Sequence, residues 1–194
     1  MTVDINSPGF AEQVRSRNSA ALRSVADAYL AQLLRTARGA GLPPQQAEDV
    51  AQSTFETFIE TAPRFEGRSH VRTWLFGILY NKISEVRRLE GRSRREEDID
   101  EVMQERFSPG GSWAHPPRAA DLQVYDVHIR AHIEECLEGV PIKQRMAFIL
   151  SAVQEFETAE VCKILDMSVT HLGVLLHRAR NRLRECLEAR GIER

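Results

Sequence analysis

The chain has 194 residues, 42% hydrophobic and 28% charged, with 11 Gly and 8 Pro; that composition suits one globular domain or two small ones and excludes collagen-like, low-complexity and wholly disordered chains. A formal net charge of −2 excludes a uniformly basic coat for nucleic acid. No run approaches the roughly 18 apolar residues of a membrane span, and the start MTVDINSPGFAEQVRSR lacks the basic-then-apolar order of a secretory signal, so the expectation is a cytoplasmic protein without membrane insertion.

Apolar positions recur at three and four, and no alternating β-branched run is present, so the expected fold class is all-α. A helical hairpin is predicted over Gly9–Asn18 and Ala20–Arg38, on a stripe of Leu22, Val25, Ala26, Tyr29, Leu30, Leu33 and Leu34, stopped by Gly39, Gly41 and Pro43. The next helix spans about Pro44 to Thr61. It turns Ala47, Val50, Ala51, Phe55, Phe58 and Ile59 inward and gathers Gln45, Asp49, Gln52, Glu56 and Glu60 on another side. Pro63 ends it. A third long helix follows from about His70 to Leu89, on Val71, Leu75, Ile78, Leu79, Ile83 and Val86. From Glu90 to Asp121 the periodicity breaks among charges, then Ser108, Pro109, Gly110, Gly111, Pro116 and Pro117. Residues 91–121 are therefore expected to be a flexible acidic linker between a first domain, 1–90, and a second, 122–194. The second domain reads as helices from Leu122 to Leu137 and from Ile142 to Gln154, the latter on Met146, Ile149, Leu150 and Val153. A short helix from Thr158 to Leu165 and a long one from Val169 to Ala189, capped by Ser168, complete it. This last pair has helix-turn-helix spacing.

The charge is laid out in blocks. Residues 64–95 hold nine Lys or Arg against three Glu, residues 96–105 hold six acids and no base, and residues 43–62 hold four acids and no base. Arg178, Arg180, Arg182 and Arg184 form a second basic cluster. Blocks of alternating sign suit separate surfaces for separate partners more than one catalytic pocket. Cys136, Cys162 and Cys186 are odd in number and lack CxxC spacing, so reduced thiols are expected, with Cys162 and Cys186 as small hydrophobes in the second core.

Three constellations carry possible chemistry. A helix-turn-helix lays its second helix in the DNA major groove, which nominates Ser168, Thr170, His171, Val174, His177, Arg178 and Arg180; two helices on a short turn also occur in bundles that never touch DNA. Along the third long helix Thr73, Trp74, Gly77, Tyr80, Asn81, Ser84, Arg87 and Arg88 lie off the apolar stripe, a mixture of rings and cations suited to single-stranded nucleic acid. The other reading of that helix is a tryptophan packed between helices beside solubilising arginines. His128, His132 and Cys136 fall at i, i+4 and i+8, where a neighbouring pair could ligate a transition metal; the favoured reading is a cysteine in the core with histidines at its border, so no metal or other cofactor is expected.

Taken in order, AEDVAQSTFETFIE (47–60), RFEGRSHVRTWLFGILYNKISEVRR (64–88) and VPIKQRMAFILSAVQEFETAEVCKILDMSVTHLGVLLHRARNRLRECLE (140–188) make the chain resemble the sigma-70 family of bacterial RNA polymerase initiation factors, in its extracytoplasmic-function group. One family pattern is met by Glu48, Asp49, Gln52 and Phe55. A second is met by Trp74, Leu75, Ile78, Asn81 and Arg88, with Glu85 in place of Asp. The resemblance implies that Gln45, Asp49, Gln52, Glu56 and Glu60 grip core RNA polymerase. It implies that Arg64, His70, Trp74, Tyr80, Asn81, Arg87 and Arg88 open and hold the −10 promoter element, and that the helix-turn-helix reads the −35 element. Glu96, Glu97, Asp98, Asp100 and Glu101 would mimic phosphate in the polymerase channel. Many relatives carry basic residues where this chain has Gly77, Gly173 and Leu175, which implies fewer DNA contacts at those points. The resemblance further implies an anti-sigma protein as controlling partner, a monomer when free, and no enzymatic activity of the chain's own. Two rivals stand beside it: an operator-binding helix-turn-helix regulator, and a metal- or redox-sensing protein built on His128, His132 and Cys136.

Overall fold

Asn18 Oδ1 accepts from the N–H groups of Ala20 and Ala21 at 3.0 and 3.1 Å, which satisfies two of the donors a helix start leaves open. The helix it begins runs from Ser19 to Gly39. In the computed structural model, which describes residues 5, 9–89 and 127–192, this is α2, preceded by α1 (Phe10–Arg15) and followed by α3 (Pro44–Thr61), a 3-10 turn (Ala62–Arg64) and α4 (Val71–Leu89). After the undescribed stretch come α5 (Val127–Glu138), α6 (Ile142–Phe148), a π turn (Ile149–Val153), α7 (Thr158–Leu165) and α8 (Val169–Ala189). Every described element is helical, as the periodicity requires. The helices fall into two compact units, divided between Arg92 and Ser93. The expected linker 91–121, its carboxylates Glu96, Glu97, Asp98, Asp100 and Glu101, and residues 122–126 lie outside the described residues.

In the first unit α2, α3 and α4 pack on one another, with α1 against the 3-10 turn. Val25, Leu33, Phe58, Leu75, Phe76, Leu79 and Ile83 are fully buried between them. The stop of α2 lies at Gly41, whose φ of 83° is open to glycine. Gly41 N–H donates to the Arg38 carbonyl at 2.7 Å and Leu42 N–H to that of Ala37 at 3.2 Å, the paired bonds of a Schellman end. Ile59, expected inward, is 41% exposed at the edge of the α3 core face.

In the second unit Met146, Leu150, Val161, Leu172 and Val174 make the centre, and α8 packs against α5, α6 and α7. Glu157 and Glu160 form a reciprocal capping box at the start of α7. The expected single helix 142–154 is interrupted. At its end Gln154 N–H bonds the Ile149 carbonyl, five residues back, at 2.9 Å, and the extra residue of this π turn moves the helical phase. Val153 consequently points outward, 58% exposed, rather than into the core.

The expectation of three reduced thiols is overturned. Cys136 of α5 and Cys186 of α8 are joined by a disulfide with Cα atoms 5.8 Å apart, and Cys162 alone is free. Periodicity places each cysteine on an inward face but is blind to a pairing across 50 residues. Closing a loop of that size stabilises the folded unit by about 4 kcal/mol on the chain-entropy account.

Ser168 Oγ accepts from the His171 N–H at 3.2 Å and caps α8. Ser168→Ala is expected to lower the stability of the second unit by about 1 kcal/mol; urea unfolding followed by circular dichroism checks it, and an unchanged midpoint would remove Ser168 as a cap.

Candidate functional site

The first surface belongs to α3. Gln45, Asp49, Gln52, Glu56 and Glu60 are all exposed, while Ala47, Val50, Ala51, Thr54 and Phe58 on the opposite side are buried. Glutamines tie the strip along the helix: Gln45 Nε2 donates to Asp49 Oδ1 at 3.4 Å, and Gln52 Nε2 to Glu56 Oε1 at 2.9 Å. An amide donor orders a carboxylate without cancelling its charge, so the strip stays negative. Glu48 turns aside and pairs with Arg38 of α2 at 3.6 Å, and Arg17 donates to the Glu60 carbonyl at 2.9 Å, leaving that carboxylate outward.

The second surface is α4 with the segment before it. Pro63 and the 3-10 turn bring Phe65 inward, and its ring stacks on Trp74 with centroids 4.8 Å apart and planes 11° apart; Phe58 of α3 meets the same indole at 5.2 Å and 56°. Trp74 therefore has one face covered. It is half-buried and walls the surface: the ring packs between helices and still reaches the face where the −10 contact is expected. His70 is exposed and also holds the start of α4: its Nδ1 accepts from the Arg72 N–H at 3.2 Å and its carbonyl from the Trp74 N–H at 3.2 Å. Arg72, which the sequence did not single out, donates from Nε to Gln32 Oε1 at 3.1 Å, with its guanidinium 5.6 Å from the Phe76 ring centroid. It locks α4 to α2.

Two expected DNA contacts are structural. Tyr80 is 9% exposed and belongs to the core. Arg87 Nη2 donates to the Ala40 carbonyl at 2.7 Å, satisfying an open acceptor at the end of α2. Neither can be read from helical phase, because Tyr80 sits at the stripe's border and the partner of Arg87 is 47 residues away. Arg64, Asn81 and Arg88 are exposed as expected. His70, Trp74, Gly77, Asn81, Ser84 and Arg88 thus form one stripe at spacings of four and three. At Gly77 an added Cβ would meet nothing within 4 Å, so the stripe is notched there.

The third surface is the start of α8. Asp166, with φ 50°, turns the chain out of α7, and Ser168, Val169 and Thr170 are exposed at the tip, with His171 half-buried. Val169 was not foreseen, though the position directly after the cap is its signal. Val174, expected to read DNA, is fully buried at 0% and packs in the core. Gly173 and Leu175 are buried as well, so their lack of charge removes no surface contact. His177 Nε2 lies 2.9 Å from Asn181 Nδ2. Arg178 and Arg180 are half-buried, and burial draws the Arg180 guanidinium below its ordinary pKa. An arginine still keeps its charge at neutral pH. Arg182 is diverted inward, donating to the buried Gln144 at 3.0 Å.

Two of the three metal-ligand candidates have described side chains, and those two do not come together as ligands. Cys136 is spent in its disulfide, and the side chain of His128 is not among those described. His132 holds Nδ1 buried without a hydrogen-bond partner, and among the described residues no group of three His, Cys, Asp or Glu is placed to hold an ion. No described helix is long and apolar enough to cross a membrane.

Comparison with known proteins adds to this geometry. Residues 25–93 match the family model for sigma-70 region 2 and residues 130–183 that for sigma-70 region 4. The chain is 30% identical over 148 residues to a "Probable RNA polymerase sigma factor" of Haemophilus influenzae, covering 73% of this chain and 76% of that protein. It is 28% identical over 171 residues, 88% of this chain and 75% of the other, to the ECF RNA polymerase sigma factor SigD of Mycobacterium tuberculosis. A solved structure of the sigma factor RpoE with the anti-sigma factor NepR from Bartonella quintana matches its fold with a TM-score of 0.61 at 24% identity, over 86% of this chain and 96% of that one.

Gly77→Ala is expected to raise the stability of the first unit by about 1 kcal/mol, since the helix gains propensity and the methyl meets open space. Thermal unfolding checks this, and a loss of stability would show the notch to be filled.

Proposed function

The chain belongs to the sigma-70 family of RNA polymerase sigma factors, in its extracytoplasmic-function group, and on that basis we propose that it joins core RNA polymerase through the α3 strip and directs it to promoters through α4 and α8. The observation that carries the reading is the α3 strip. Its five polar side chains are exposed together, its charge is negative, and the helix's other side is committed to the core. Such a face complements a basic partner and steers its approach. In this reading residues 1–90 engage polymerase and the −10 element, residues 122–194 the −35 element, and the acidic segment 91–121 joins them and faces the basic channel of polymerase.

On α4 the −10 contact uses Arg64, His70, Asn81 and Arg88, with Trp74 as a wall beside the Gly77 notch. An unstacked base costs a few kcal/mol to extrude, and hydrogen bonds from Asn81 and His70 offset that cost. On α8, Ser168, Thr170 and His171 face base edges, whereas His177, Arg178 and Arg180 lie further along the helix, where phosphates pass. Chemistry stays with polymerase, and no cofactor of the chain's own is required. A partner of the anti-sigma class covers these surfaces when transcription is off, as the pairing of RpoE with NepR suggests. The free factor is a cytoplasmic monomer.

Two variants separate the surfaces. Asp49→Lys is expected to weaken core-polymerase binding at least tenfold in a fluorescence titration. Asn81→Ala is expected to leave that binding intact and to slow promoter opening by a similar factor; wild-type behaviour from both would remove the two residues from their surfaces. Arg178→Ala is expected to weaken −35 duplex binding and to reduce the slope of log K against log salt by about 1, as one lost phosphate contact predicts. An unchanged slope takes Arg178 off the DNA.

A further inference from the structure

Cys136 and Cys186 lie outside every surface assigned above. Their bond encloses α6, α7 and most of α8 in one loop and sits beside an apolar cluster of Leu137, Val140, Phe148, Ala179 and Leu183. One side opens to solvent. A depression of about 360 Å³ reaches both cysteines, and Glu135, Arg182 and Glu185 stand around it. The two halves of the bond are unequal: Cys136 is 4% exposed, whereas Cys186 is half-buried.

We propose that Cys136 and Cys186 form a reversible redox centre, reduced by a dithiol that enters through this depression, and that its state sets how firmly α5 is held to α8. The exposed half decides the order of events. A thiolate of the reductant attacks Cys186 Sγ, the Cys136–Cys186 bond breaks, and Cys136 leaves as a thiolate that takes up a proton. A monothiol would stall here, because the neighbouring Cys136 thiolate re-forms the bond by attacking the mixed disulfide. A dithiol resolves it: its second thiolate attacks its own bound sulfur, and Cys186 leaves as a thiolate and is protonated. Two electrons and two protons have then passed to the protein, and the reductant is left as a disulfide. An oxidised dithiol partner reverses each step. Arg182 on the same depression favours the thiolate form, and Glu135 and Glu185 oppose it.

The bond matters because of what else holds α5. Among the described residues α8 is its main packing partner, and a further cross-link is the Glu135–Arg190 ion pair, with both side chains substantially exposed, of a kind that contributes little. Reduction leaves Ile133 and Leu137, with Val140 just beyond the helix, to hold α5 to the cluster, and its local opening becomes easier. Cys162 stands apart on α7 as the free thiol, its pKa raised by burial, which makes it a poor nucleophile. The first unit contains none of the three cysteines and serves as an internal reference.

The test uses the full chain, equilibrated with reduced and oxidised dithiothreitol in ratios from about 1:1,000 to 1,000:1. Thiols are counted by alkylation and mass, and amide hydrogen exchange is read in each state. The expected result is one transition that converts Cys136 and Cys186 together, with exchange in α5 and the end of α8 accelerating at least tenfold on reduction while α2, α3 and α4 are unchanged. The Cys136→Ser/Cys186→Ser variant should exchange like the reduced protein and ignore the reductant; Cys162→Ser should respond like wild type. A bond that survives every mixture, two thiols that never pair, or reduction without faster exchange in α5 would each overturn the proposal. If that variant does not fold, the wild-type titration decides alone. Any accompanying fall in −35 duplex binding rests on the function proposed above. Its absence, with the redox transition intact, leaves the redox centre standing, since the −35 contacts lie at the start of α8, away from the bond.

Discussion

The packing of Trp74 between Phe65 and Phe58 is the interaction on which the first unit's arrangement depends. Between α3 and α4 the chain makes a nine-residue connection, 62–70, that contains a proline, a 3-10 turn and Gly67 with φ 71°. Left to itself such a connection would be a hinge. With Phe65 only 6% exposed and stacked on the indole, both ends are tied to the core. Arg72 to Gln32 and Arg87 to Ala40 then fasten α4 to α2 at opposite ends. The acidic strip of α3 and the stripe of α4 are consequently two faces of one rigid body. In the function proposed above, that rigidity couples polymerase binding on one face to DNA opening on the other.

The second unit reaches a comparable end by other means. α8 is anchored at its start by the Ser168 cap and by burial of Leu172, Gly173, Val174 and Leu175, and in its second half by Arg182 on the buried Gln144 and by Cys186. What remains outward is a short tip and one flank of basic side chains. The half-buried setting of Arg178 and Arg180 carries a physical consequence. Partial burial already restricts these side chains, and desolvates the Arg180 guanidinium, so less side-chain freedom is lost when a phosphate arrives.

Much of this was legible in the sequence, for a definite reason. The helices are readable because apolar residues at three and four specify one buried face: in α3 Ala47, Val50, Ala51 and Phe58 go in, all five polar residues come out, and Phe55 and Ile59 fall at the border. The errors fall where phase is ambiguous or contacts are distant. Tyr80 and Ile59 sit at stripe borders, where a rotation of a few tens of degrees decides burial. Val153 was misplaced by the π turn, which shifts phase without any mark in residue type. Arg87 and the Cys136–Cys186 bond depend on partners 47 and 50 residues away, beyond the reach of any local pattern. Val174 was assigned by its place on a recognition helix, when the core had the stronger claim on a valine.

The central claim is that this chain confers promoter choice on RNA polymerase through two DNA-facing surfaces, one in each unit. The most direct measurement is transcription in vitro from fragmented host DNA with core polymerase from the same host, with and without the protein, mapping the 5′ ends of the transcripts. The account predicts discrete new ends that share upstream elements at two fixed positions. Folded protein, free of inhibitor, that produces no new ends would contradict it.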